Sequence, residues 1–61
     1  MRNFTNENQE FETLENMDKY AGSFVKELAQ LYRLGDRQNQ QKLLDTFWNY
    51  FSEYLPEKWN K

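Results

Sequence analysis

An all-α antiparallel helical hairpin is the fold class this sequence predicts, and three observations predict it. Leu14, Met17, Ala21, Phe24, Leu28 and Leu31 recur at alternating spacings of three and four residues, the a/d period of a helix packed along one seam. A second apolar face runs through Leu43, Leu44, Phe47, Trp48, Tyr50, Phe51, Tyr54 and Leu55. Between the two stands "LGDRQN", residues 34–39, a break with the residue types that end one helix and start another.

The first helix is expected over about residues 6–34. Thr5 or Asn6 supplies its cap, and Glu7, Glu10 and Glu12 favour the positive end of a helix. Thr13 is a second candidate cap. Gly22–Ser23 in mid-helix costs about 1 kcal/mol relative to Ala and marks a bend. The alternative is a broken version with a separate short N-terminal helix. Gly35 suits the left-handed position after a helix, and Asp36 suits the N-cap of the next. The second helix is expected over about 37–55, because the residue before Pro56 avoids the α region. The chain is one small domain, 1–61, with 1–5 and 56–61 as flexible ends.

The second helix carries a wide apolar arc. At 100° per residue its apolar side chains cover about 160°, whereas docking on one neighbour needs about 100°. A hairpin supplies one neighbour, so the expectation is a homodimer that forms a four-helix bundle. Folding about the turn sets Phe24 near Phe47, Ala21 near Phe51 and Met17 near Tyr54, with Leu44, Phe47 and Phe51 as core. Phe4 and Phe11 then have no partner in the second helix. They are either disordered or packed on another chain. Tyr and Trp favour interfaces, and the interface candidates are Phe11, Val25, Tyr32, Trp48, Tyr50, Tyr54, Leu55 and Trp59.

The composition leaves little room for catalysis. The 61 residues contain no histidine and no cysteine, so the commonest general bases and nucleophiles are missing. Disulfides are excluded as well, and thiolate or imidazole metal sites with them. The carboxylates Glu7, Glu10, Glu12, Glu15 and Asp18 are most simply a solvated helix start. The two glycines, Gly22 and Gly35, are too far apart for a phosphate loop. No enzyme activity, cofactor or metal is expected.

Charge is unevenly placed. Residues 1–18 are net −4 and residues 19–42 net +3, within a chain of net −2. Arg33, Arg37 and Lys42 gather at the turn as a possible anion or acidic-partner patch, although ordinary helix-end charge explains them more simply. Nucleic-acid binding fits poorly, because the second helix is apolar over nearly half its circumference and weakly acidic elsewhere. No apolar run approaches a membrane span. The polar face of the second helix carries Asp45 and Glu53 rather than the Lys and Arg of a membrane-surface helix. The opening "MRNFTNENQE" lacks the apolar stretch of a signal peptide. The expected location is the cytoplasm, with no membrane partner.

The run from Phe24 to Tyr54 resembles small helical-hairpin proteins encoded by bacteriophages and prophages. Those pair an "F-V-x-x-L-A-x-x-Y" helix with an "A-D-x-x-N" turn and an aromatic second helix. Phe24, Val25, Leu28, Ala29 and Tyr32 match the first part, and Asp36 and Asn39 the turn, with Gly35 where Ala is usual. The resemblance covers about half of the chain. It implies a phage accessory protein, acting in the cytoplasm of a bacterial host. Some such proteins block antiviral defence, including CRISPR, Thoeris or Hachiman systems. It therefore implies a non-enzymatic binding role with a host protein as target. A structural or assembly hairpin without a host target is the alternative, and a nucleotide or nucleic-acid site at Arg33, Arg37 and Lys42 is a third class.

Overall fold

The computed structural model describes residues 2–59. It is all-helical over these residues, with α1 at Glu7–Tyr20, α2 at Ser23–Leu34, α3 at Arg37–Glu53 and a single turn, α4, at Pro56–Trp59. Asn6 caps α1, its side chain accepting from the Gln9 N–H at 2.8 Å. Gln9 reaches back to the Thr5 N–H at 2.6 Å, an exchange close to a capping box. Asp36 caps α3 as expected, accepting from the Asn39 N–H at 2.9 Å.

The continuous helix over 6–34 is not formed. The chain breaks at Ala21 (φ −91°, ψ 163°) and Gly22 (φ −77°, ψ 178°), both extended. Gly22 lowers the cost of leaving the helix there, and with the break α1 and α2 each pack on α3 as well as on one another. The turn at Gly35–Asp36 is built the same way, from two extended residues. Gly35 has φ −81° rather than the left-handed value expected of it, and no described residue has positive φ. The Gly35 N–H instead donates to the carbonyls of Leu31 at 3.1 Å and Tyr32 at 3.2 Å, which satisfies the end of α2 without a left-handed residue.

The break also resets the phase of the apolar seam. In α2 the buried residues are Leu28, Ala29 and Tyr32, with Val25 half-buried. Positions 25, 28, 29 and 32 form one helical stripe. The α1 seam, through Leu14, Met17 and Ala21, does not continue to Phe24 and Leu31. Those two turn outward, so their expected place in the core is corrected. Tyr32 is likewise corrected from interface candidate to core.

The core is Leu14, Met17, Leu28, Ala29, Tyr32, Leu44 and Phe51. Phe47, expected inside, is only half-buried, and α3 kinks at that residue (φ −116°, ψ 25°). Two polar side chains are buried with partners. Thr13 donates to the Gln9 carbonyl at 2.7 Å, and Asn16 to the Tyr54 carbonyl at 3.0 Å. The second of these ties α1 to the end of α3, close to the expected pairing of Met17 with Tyr54.

The described parts of the two ends, residues 2–5 and 56–59, make contacts with the helices. Phe4 lies against Tyr32, Trp48 and Phe51, with ring centroids 6.0, 5.7 and 6.2 Å away. It needs neither disorder nor a second chain. Gln41 donates to the Arg2 carbonyl at 2.7 Å. In α4, Trp59 stacks between Tyr20 at 4.6 Å and Tyr54 at 5.5 Å, and its indole N–H donates to the Glu53 carbonyl at 2.7 Å. Met1, Asn60 and Lys61 lie outside the described residues.

The radius of gyration is 10.5 Å, close to the roughly 10 Å of a compact domain this size. The wide arc of α3 therefore finds two neighbours, α1 and α2, within one chain.

Candidate binding surface

The phase reset leaves a strip of apolar side chains on the outer edge of α2 and α3. Phe24 is 59% exposed, Leu31 53%, Leu34 76% and Tyr50 41%. Phe24 contacts Phe47 and Tyr50 edge to face at 6.4 and 5.3 Å, so the aromatic end of the strip is a mutually supported cluster. Two shallow grooves run along it. One of about 460 Å³ is lined by Leu31, Leu34, Lys42, Leu43 and Thr46 at the turn end. The other, about 180 Å³, is lined by Phe24, Glu27, Leu28, Leu31 and Phe47. Leu31 belongs to both, which makes the strip continuous.

The expected interface residues are scattered by comparison. Tyr50 lies on the strip. Val25 and Trp48 are half-buried against the core, Trp48 beneath Phe4. Tyr54 and Leu55 are half-buried at the far end of α3, and Trp59 is held in its stack. Phe11 is exposed away from both grooves of the strip, beside Leu14 and Tyr32 in a separate groove of about 270 Å³. Phe24, Leu31 and Leu34 were the residues missed, because an unbroken seam places the first two in the core. Gly22 was the available signal.

The basic cluster is not assembled as a free patch. Arg33 pairs with Asp18 through both nitrogens, at 2.8 and 3.3 Å. Arg37 donates to Glu10 at 3.2 Å and to Gln40 at 3.1 Å. Of the three cations, Lys42 alone has no ion pair with another described residue. A phosphate at this corner has to displace two carboxylates first.

A polar group joins three elements at that corner. The Tyr32 hydroxyl donates to the Glu10 carboxylate, which also accepts from Arg37, and Gln40 donates to the Tyr32 carbonyl at 3.0 Å. Burial pushes the Tyr32 phenol above its ordinary value, and the Glu10 carboxylate accepting its proton adds to the rise. The phenol is thus a fixed donor at neutral pH, a structural tie between α1 and α2.

Among the described residues no group of three or more potential ligands is placed to hold a metal ion. No buried side-chain nitrogen or oxygen among them lacks a hydrogen-bond partner. No helix among them is long and apolar enough to cross a membrane. No protein-family model, curated protein or solved structure matches the chain.

Proposed function

We propose that this chain is a non-enzymatic protein-binding module that docks through the α2–α3 strip. The observation that carries the reading is the exposure of Phe24, Leu31 and Leu34 along one continuous pair of grooves, extended by Tyr50 against the Phe24 ring. The largest apolar patch on a small domain is often functional. The polar groups of the interior are consumed in holding the helices together, which leaves shape and apolar area as the means of recognition.

The resemblance to small phage proteins extends the proposal. In that form the chain is an accessory protein of the host cytoplasm that inhibits a defence protein by covering one of its surfaces. Self-association, as in an assembly module, is the other form that docking through the same strip takes.

Affinity capture from bacterial lysate tests the reading. The wild-type chain is compared with Leu31→Asp, which places a charge at the centre of the strip, and with Gln30→Asp beside it. The reading predicts a discrete host protein retained by wild type and Gln30→Asp and lost with Leu31→Asp. Identical eluates from all three contradict docking of a host protein through the strip.

A further inference from the structure

We infer that the partner of the α2–α3 strip is a second copy of this chain, packed about a two-fold axis that runs parallel to the hairpin. The inference rests on the docking reading above and identifies the occupant of that surface. Two observations carry it, the charges that border the strip and its area.

The strip has one charge on each edge. Glu27 borders the groove on the α2 side, with Phe24 and Leu31. Lys42 borders it on the α3 side, with Leu31 and Leu34. Both are exposed. Neither has an ion pair with another described residue, since the pairs those residues form are Arg33–Asp18 and Arg37–Glu10.

Phe24 stands level with Phe47 and Tyr50, and this sets the register of the two helices. Counting inward from the turn, Glu27 and Lys42 fall within about one helical turn, some 5 Å, of the same height. A two-fold axis along the hairpin lays each α2 on the partner's α3, antiparallel and without any shift of height. Glu27 then meets the partner's Lys42, and Lys42 meets the partner's Glu27. An isologous contact makes every such pair twice. A two-fold axis across the hairpin sets α2 on α2 and brings Glu27 towards its own copy.

Area points the same way. At roughly 200 Å² for each large side chain, the exposed parts of Phe24, Leu31, Leu34 and Tyr50 leave about 450 Å². The outer edges of Leu43 and Phe47 bring the strip to about 500 Å². Two strips face to face bury about 1,000 Å², the lower bound for a specific interface. The dimer is therefore weak and reversible.

Sedimentation equilibrium on the full chain, from low micromolar to near millimolar, tests the inference. Wild type is expected to pass from 7.6 kDa to twice that mass. Glu27→Lys and Lys42→Glu each oppose like charges at both pairs and should weaken dimerisation about tenfold. An equimolar mixture of the two variants satisfies both pairs in a heterodimer and should recover wild-type affinity. Circular dichroism checks that each variant is folded, and Leu34→Asp gives a second route to losing the dimer. A monomer across the whole range overturns the inference. So does a dimer indifferent to Leu34→Asp, or a mixture no tighter than either variant alone. A monomeric wild type that still captures a host protein through Leu31 leaves the docking reading standing and removes only the second copy.

Discussion

The Phe24 ring stands 5.3 Å from the Tyr50 ring, edge to face, yet 59% of Phe24 remains exposed. Phe51, one residue further along α3, is fully buried against Tyr32 at 5.4 Å. Truncation should separate the two. Phe51→Ala is expected to cost roughly 3–5 kcal/mol, enough to unfold a domain this small. Phe24→Ala should cost under about 1.5 kcal/mol, the loss of part of an aromatic cluster. Urea unfolding of both variants is the check. Equal losses contradict the reset phase of α2.

Gly22 occupies the N-cap of α2 without a side-chain cap, and α2 has no acidic residue in its first turn. Its φ and ψ suit any residue, and nothing lies within 4 Å of where a Cβ would stand. Gly22→Asp should therefore stabilise the fold by about 0.5–1 kcal/mol, through a new cap and a favourable helix-end charge. Its melting temperature is expected to rise by several degrees. A fall instead indicates that the chain needs the freedom of glycine at the break.

The Tyr32 phenol is held protonated by burial and by Glu10, so its folded pKa is raised above the unfolded value near 10. That sign makes its contribution complete below about pH 10 and lost progressively as pH rises beyond it. The urea midpoint of wild type should fall between pH 9 and 11, by more than that of Tyr32→Phe. The variant itself should lose about 0.5–1.5 kcal/mol at neutral pH, the usual net worth of a hydrogen bond. Parallel pH curves for the two proteins contradict the tie.

Phe4 covers Trp48 at 5.7 Å. In a Trp59→Phe background, Phe4→Ala should shift Trp48 emission to the red and cost about 2–3 kcal/mol as the edge of the core opens. Unchanged emission and stability show that the N-terminal segment is not seated there.

The parts legible in the sequence were those written in local chemistry. The Asp36 cap and the helical character of the segments on both sides of it follow from residue type and spacing. The break at Ala21–Gly22 was visible only as a weak residue in a good helix, because its compensation is tertiary. Separating α1 from α2 surrounds α3 with two neighbours and makes Tyr32 a core residue. The same event exposes Phe24 and Leu31, so the candidate surface was hidden behind one backbone decision. The seat of Phe4 is hidden in the sequence for a related reason. A bare hairpin has no site for it, whereas three packed helices leave a gap between Tyr32, Trp48 and Phe51.

Thermal unfolding of Leu31→Asp beside Leu28→Asp, at low micromolar concentration where association is absent, tests the outward turn of α2 most directly. Leu28 is 5% exposed and Leu31 53%, though both sit on the seam of an unbroken helix. Leu28→Asp buries an unpaired charge and should abolish the folded state. Leu31→Asp should melt within about 4 °C of wild type. Loss of the fold in both variants would contradict the outward strip, and with it the surface on which the proposed binding depends.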